Sequence, residues 1–261
     1  MKNHKILFIL TLLVLNLWSC TEEEYDFLHN AEAVSSGARV KFIHAIPGGP
    51  AVDVLWQGKR LNGGRVTVAN TAYLPVTYSN FFPGLANEYA VVTAGTGKLE
   101  VEVPDNPLVK PATTRTSVIS SDATMDNNQT YTYVVYGTPT APKSLFFSDD
   151  LPARSSNLTF VRILHVLSGA PNLDCGILGE GALVSDIAVN ARSNWVSFPI
   201  SEASGVSRKK LTIRLNSTKA VTLTTADIDF QVGRCVTIVV RGTQGGTGTA
   251  VPALSTVINR Y

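Results

Sequence analysis

His44 with Asp53, and His165 with Asp174, are the residues of this chain whose types and spacing could do chemistry. In each pair a histidine precedes an aspartate by nine residues, with a Gly- and Pro-containing turn between them. A strand-loop-strand path of that length can bring an imidazole and a carboxylate within hydrogen-bond reach, the geometry that orients a general base. Recurrence argues for another role, because a catalytic centre is rarely needed twice and buried polar groups usually satisfy backbone. The expectation is a repeated structural motif, with no catalytic residue assigned and no enzymatic activity.

Other reactive constellations are missing from the sequence. Beyond residue 20 the histidines are His29, His44 and His165, too few and too scattered for a zinc set. Asp149-Asp150 and Asp227 with Asp229 lack the ligand spacing of a calcium loop. Gly245-Gly246-Thr247-Gly248 has neither the lysine nor the helix of a phosphate loop, and no Gly-x-Ser-x-Gly element is present. No metal and no cofactor are expected. Cys175 and Cys235 lie 60 residues apart with Trp195 between them, the order seen in immunoglobulin domains. Cys175, however, stands where the first copy has Val54, so two separate buried thiols are the expectation.

Cys20 is reactive for a different reason. It follows Leu17-Trp18-Ser19 at the end of the apolar run Ile6 to Leu15, with Lys2 and Lys5 upstream. That layout is a secretory signal, too short for a spanning helix, which needs about 20 apolar residues. Leu17, Ser19 and Cys20 match the lipobox of bacterial lipoprotein signals, where the thiol is acylated before cleavage. Two or three acyl chains, at about 0.8 kcal/mol per buried methylene, would make Cys20 an effectively permanent membrane anchor. Glu22-Glu23-Glu24 resembles the export signal of surface lipoproteins in Bacteroidetes-type bacteria, and residues 21–37 carry five acids and no Lys or Arg, as a solvated tether does. The expected address is the outer membrane, lipid-anchored, at the cell surface.

Tyr78-Ser79-Asn80-Phe81-Phe82-Pro83-Gly84 is the aromatic feature of interest. Adjacent strand residues point to opposite faces, so one phenylalanine can plug a sandwich end while the other meets a neighbouring module. The competing expectation is a ligand-facing platform of Trp56, Tyr78, Phe81 and Phe82, extended by Tyr73.

These residues ride on a repeated scaffold. Val40-Lys41-Phe42-Ile43-His44-Ala45-Ile46 through Val54 aligns without a gap to Val161-Arg162-Ile163-Leu164-His165-Val166-Leu167 through Cys175, at an offset of 121 residues. A second echo, Val134-Val135-Tyr136-Gly137-Thr138 against Val239-Val240-Arg241-Gly242-Thr243, closes each copy. Between these ends lie short Val-, Thr-, Tyr- and Ile-rich runs broken by Gly, Pro and Asn, without a helix-period segment. Seven or more short strands in about 110 residues predict an all-β fold of two tandem immunoglobulin-like β-sandwich domains. The expected organisation is a signal peptide over 1–19, an acidic tether over 20–37, and modules over 38–152 and 153–261.

The chain has 22 Lys and Arg against 20 Asp and Glu, and removing Lys2 and Lys5 with the signal leaves it neutral, which excludes a general nucleic-acid footprint. Charge is uneven: residues 38–152 hold nine bases and nine acids, residues 153–261 eleven and six. The densest cluster, Arg208-Lys209-Lys210, reads as a solvated strand edge.

The opening His44-Ala45-Ile46-Pro47-Gly48-Gly49-Pro50-Ala51-Val52-Asp53-Val54 resembles that of a bacterial domain of unknown function, the one numbered 4397. The second opening, with Ser168 for the first proline and Cys175 for the last valine, resembles a diverged copy. The resemblance implies an extracytoplasmic, often lipid-anchored protein and implies no activity. Together these readings predict a non-enzymatic, lipid-anchored envelope protein that binds protein or glycan ligands, as in adhesion. The alternative is a structural subunit or anchor of a fimbria-like assembly, in which an edge strand of one chain completes a sheet of the next.

Overall fold

A computed structural model describes residues 37–62, 65–67, 70–72, 75–84, 88–104, 115–225 and 227–260. The expectations for Cys20, the signal, the tether up to residue 36 and Tyr73 lie outside these residues. The described chain is built of strands, with one short 3-10 turn at Gly248–Ala250.

The first repeat supplies β1 (Ala38–His44), β2 (Asp53–Trp56), β3 (Lys59–Arg60), β4 (Arg65–Thr67), β5 (Asn70–Ala72), β6 (Phe81–Phe82), β7 (Ala90–Val92), β8 (Gly95–Pro104), β9 (Arg115–Met125), β10 (Thr130–Thr138) and β11 (Ala141–Ser148). Its central sheet runs β11-β10-β1-β6, with β7 also on β1, and its outer sheet runs β3-β2-β8-β9. The opening and closing strands, β1 and β10, pair in parallel, Val40 against Tyr131 and His44 against Val135.

The second repeat supplies β12 (Leu158–His165), β13 (Leu173–Ile177), β14 (Ala182–Ile187), β15 (Ala191–Arg192), β16 (Val196–Pro199), β17 (Val206–Lys209), β18 (Leu211–Leu215), β19 (Val221–Thr224), β20 (Ile228–Gln231), β21 (Cys235–Arg241) and β22 (Ala253–Arg260). It rebuilds the same plan: a central sheet β22-β21-β12-β15 with β16 on β12, and an outer sheet β14-β13-β18-β19. Here β12 and β21 pair in parallel, Val161 against Val236 and His165 against Val240.

Strand alternation explains the layering. Val40 and Phe42 of β1, with Tyr131, Tyr133 and Val135 of β10, face Val54, Trp56, Leu99 and Val101 of the outer sheet and make the first core. Val161, Ile163, Val236, Ile238 and Val240 face Leu173, Cys175, Leu211 and Ile213 and make the second. The intervening residues, Ile43, Ala45, Val134 and Tyr136 from one repeat and Leu164, Val166, Val239 and Val257 from the other, meet in a third cluster. The sheets therefore stack four deep, outer, central, central, outer. Both faces of the central strands are covered, which is why β1, β10, β12 and β21 are buried along almost their whole length, polar residues included. Residues 36–261 form one compact unit.

The closing echo has a backbone cause. Gly137 and Gly242 sit at φ of 94° and 103°, and a Cβ on either would lie 2.6 Å from a carbonyl oxygen, of Ala141 and Val251 respectively. Only glycine fits where the hairpin strand passes this close.

One element differs between the repeats. The long β8–β9 hairpin pairs without a break in chain from Gly95 with Met125 to Pro104 with Arg115, apart from one bulge. In the second repeat its counterpart is split into β18–β19 and β17–β20. At the break, Thr225 Oγ1 accepts from the Leu211 N–H at 2.8 Å and the Thr225 N–H donates to the Leu211 carbonyl at 2.9 Å.

Candidate functional site

The two histidines organise equivalent loops. His44 and His165 end β1 and β12 and are fully buried. Nδ1 of each accepts the backbone N–H two residues on, Ile46 or Leu167, at 3.3 Å. Nε2 lies 2.9 Å from the Pro50 carbonyl in one repeat and 3.0 Å from the Pro171 carbonyl in the other. An N–H donor at one nitrogen and a carbonyl acceptor at the other select the neutral tautomer protonated on Nε2. Burial lowers both pKa values, opposed by the bond to the proline carbonyl, so both rings are held neutral.

The aspartates are used elsewhere. Asp53 accepts from Asn62 Nδ2 at 3.1 Å and pairs with Arg60 at 2.8 Å, while Asn62 Oδ1 accepts the Val54 N–H at 2.8 Å. Burial pushes its carboxyl above the usual range, and Arg60 and Asn62 offset part of that. Asp174 accepts from the Asp186 N–H at 2.9 Å, Asn216 Nδ2 at 2.8 Å and Lys219 Nζ at 2.7 Å. Burial acts against its charge, but the bonds from Lys219, Asn216 and Asp186 hold its carboxyl below the usual range. Each ring is thus fixed by backbone and each carboxylate by its own loop, and neither sequence pair forms an imidazole-carboxylate contact.

Of the residues expected in an aromatic platform, Trp56 is enclosed in the core, whereas Tyr78, Phe81 and Phe82 are half-buried. Trp56 is 3% exposed, in the first core, with Nε1 donating to the Thr93 carbonyl at 2.9 Å. Its position in β2, alternating with Asp53 and Leu55, turns it inward. Phe82 packs on the first core and its neighbour Phe81 on the cluster between the repeats, the division that strand alternation imposes. Tyr78 lies at the same boundary: its hydroxyl accepts from Arg241 Nη1 at 2.6 Å, the Arg241 guanidinium stands 4.8 Å from its ring centroid, and its edge meets His44.

The dominant polar constellation, unassigned from the sequence, lies where the central sheets meet. Lys41 and Arg162 hold the same place in the two openings, and both are fully buried on the faces turned toward the other repeat. Arg162 Nη2 bonds Asp149 Oδ1, just beyond β11, and Nη1 donates to the Asp149 carbonyl at 3.2 Å. Arg162 Nε donates to Thr237 Oγ1 at 3.0 Å, Thr237 Oγ1 to Asn259 Oδ1 at 2.6 Å, Asn259 Nδ2 to Tyr89 Oη at 2.9 Å, and Tyr89 Oη to Asp149 Oδ2 at 2.6 Å. These bonds close a ring of five side chains drawn from both repeats. Thr132, the counterpart of Thr237, donates to Asp149 Oδ1 at 2.7 Å. Burial, then the nearby Asp149 charge, pushes the Tyr89 phenol well above its ordinary pKa, so it stays protonated and donates.

Aromatic rings enclose the charges. The Arg162 guanidinium lies 4.5 Å from the Trp195 ring and 4.9 Å from the Phe147 ring, and Trp195 Nε1 donates to the Asp149 carbonyl at 2.9 Å. Lys41 Nζ donates to the Ile258 carbonyl at 2.9 Å and sits 4.5 Å from the Tyr89 ring. Burial lowers the Lys41 pKa to about 8, partly offset by Asp149 and Glu88. The available sequence signal was a base recurring inside an apolar strand at the same position of both openings.

Remaining candidates have structural settings. Cys175 and Cys235 are both buried thiols, and burial pushes Cys175 up to about 12. Arg208 and Lys209 pair with Asp229 and Glu180 at 2.8 Å on the exposed β17 face. Asp149 is committed to the ring, and Asp150 pairs with Arg192 at 3.0 Å. No group of three or more metal-ligating His, Cys, Asp or Glu side chains occurs among the described residues.

A family model for a domain of unknown function, DUF4397, matches residues 38–176, covering the whole first repeat and the second opening with His165 and Asp174. The chain belongs to the DUF4397 family. No curated protein matches it. Among solved structures, it is similar to the fimbrial anchor protein Mfa2 from Porphyromonas gingivalis at 8% identity and a TM-score of 0.24, covering 86% of this chain and 98% of that one. It is also similar to a candidate cell-adhesion protein from Bacteroides ovatus at 10% identity and a TM-score of 0.24, covering 86% and 97%.

Proposed function

We propose that this DUF4397 member is a non-enzymatic, lipid-anchored protein of the outer membrane, displayed at the cell surface through Cys20, whose stacked sandwiches form a rigid module for binding protein or glycan. The observation that carries the reading is the buried ring joining Asp149, Arg162, Thr237, Asn259 and Tyr89. It ties the repeats into one body that holds loops at fixed separation, as a binding scaffold requires, and the paired histidines and aspartates serve the loops rather than a reaction. Fold alone does not specify a ligand. The test is protease digestion of intact cells, compared with lysed cells and with a Cys20→Ala variant. Digestion on intact cells supports display and directs a screen of proteins and glycans. Protection until lysis overturns it in favour of partners inside the envelope.

A second reading, a subunit of a fimbria-like assembly, is favoured by one feature, the eight-residue strand β22 at the open edge of its sheet. It requires purified chains to form open polymers.

A further inference from the structure

The hairpin that closes each repeat also differs between them. In the first repeat Thr138 pairs with Ala141, and only Pro139 and Thr140 turn the chain from β10 into β11. In the second, Arg241 pairs with Ala253, and the connection from β21 to β22 runs from Gly242 to Pro252. The closing echo carries through Gly137-Thr138 and Gly242-Thr243, so the added residues follow Thr243. A two-residue turn suffices to close this hairpin, and the fold therefore does not require the longer loop. Surface loops on a rigid scaffold are where binding residues concentrate.

The loop is held rather than slack. Within it, the Thr243 N–H donates to the Ala250 carbonyl at 2.8 Å, the Gly246 N–H to the Thr243 carbonyl at 2.9 Å and the Ala250 N–H to the Thr247 carbonyl at 3.0 Å. The Gln244 N–H donates to the Ser168 carbonyl at 2.8 Å and the Ser168 N–H to the Gly242 carbonyl at 3.0 Å, which ties the loop to the second opening. A Cβ on Gly246 would run into the Ala250 carbonyl oxygen, so this crossing needs glycine. The loop also reaches the first repeat: a Cβ on Gly48 would stand 3.7 Å from Thr249 Oγ1, and Arg241 at the base of the loop bonds Tyr78. It therefore lies beyond the ends of β1 and β12, at the opposite end of the sheets from the start of β1.

The side chains it exposes share one chemistry. Gln244, Thr247, Thr249 and Val251 are exposed, Val251 at 47%. Thr247 precedes the 3-10 turn without a side-chain cap bond, and among the described residues nothing bonds the Gln244 amide or the Thr249 hydroxyl. Each of these three groups can both donate and accept. A sugar presents the complement: hydroxyls that each donate and accept, around a ring whose C–H face suits an apolar side chain. We infer that the Gly242–Pro252 loop recognises a neutral oligosaccharide, bonding its hydroxyls through Gln244, Thr247 and Thr249 with Val251 against the ring. Because the backbone is ordered before a ligand arrives, binding carries little conformational cost. A protein partner would instead be anchored by Trp, Tyr or Arg, the residue types of protein hot spots, and the loop offers none of them. The inference rests on the binding reading above and names its site and ligand class; an anchor upstream of β1 leaves this end of the sheets free.

The experiment probes the chain from residue 20 onward, carrying Cys20→Ala, against an immobilised panel of neutral oligosaccharides ending in glucose, galactose, mannose, fucose or N-acetylglucosamine. The expected result is binding to a subset of the panel, weakened about tenfold or more by Gln244→Ala/Thr247→Ala through the loss of two hydrogen bonds. The thermal unfolding curve of that variant should match the parent's, because both side chains are exposed. Thr140→Ala, on the short turn of the first repeat, should leave binding unchanged. Binding that Gln244→Ala/Thr247→Ala does not weaken, or that Thr140→Ala weakens equally, would overturn the loop assignment while the binding reading stands. No binding across the panel would overturn the inference outright, with protein ligands then the surviving form of that reading. Protease shaving is independent of these results, so display and sugar recognition fail separately.

Discussion

Arg162 and Asp149 form an ion pair in which both side chains are wholly shielded from water, one at the heart of the second repeat's opening strand and the other at the end of the first repeat. Neither charge has solvent to fall back on: Thr132 and Tyr89 donate to the Asp149 carboxylate, and the Arg162 guanidinium donates to Thr237. The pair is thus the polar centre of the contact that makes residues 36–261 one unit.

Removing one partner strands a buried charge, which costs about 3–5 kcal/mol. Arg162→Met or Asp149→Leu alone should lower stability by that order, measured by urea unfolding. The double variant Arg162→Met/Asp149→Leu should recover a large part of the loss, because no bare charge remains. Equal destabilisation by the single and double variants would show that the ring matters through its other bonds.

Lys41 behaves oppositely. Its pKa is about 8 in the folded chain against 10.5 for the unperturbed group, so the unfolded state holds the proton more tightly. Stability should therefore rise as pH increases from about 8 to 10.5 and be lost as pH falls back through 8, by roughly 3 kcal/mol. Lys41→Met should be neutral or stabilising at pH 7 and should flatten that slope. A clear loss of stability in Lys41→Met at pH 7 would mean that the bond to the Ile258 carbonyl outweighs desolvation.

His44 and His165 govern the acid limb. Burial holds each pKa below 6.5, so stability is complete above that value and falls as pH drops and the unfolded chain takes up protons. Each ring contributes a slope of up to about 1.4 kcal/mol per pH unit. Comparing pH 7 with pH 5 by thermal unfolding, His44→Gln and His165→Gln should each be less stable at pH 7 and less pH-sensitive than the parent chain.

Gly137→Ala and Gly242→Ala should each destabilise by about 1–3 kcal/mol, since a Cβ meets a carbonyl oxygen at 2.6 Å and φ is positive. Gly58→Ala is the control: its φ is 75°, but no atom lies within 4 Å of the added Cβ, so only the backbone cost applies. Chemical denaturation of the three variants separates conformational strain from collision.

Much of this molecule was legible in its residues. The alternating and apolar runs specified strands, and the two echoes specified a repeated opening and closing. These properties depend on neighbours one to four residues away, and sequence displays them directly. The destination of a side chain does not. Trp56 could face a ligand or a core until the central sheet was placed against its own, and Lys41 and Arg162 had the same pattern whether they met water or another sheet. What decided the two bases was the stacking of two central sheets, a contact that joins residues such as Tyr89 and Asn259, 170 positions apart. Local sequence sets which face of a strand each residue occupies, but only the packing of distant strands determines what that face meets and therefore whether a charge there is solvated, paired or stranded.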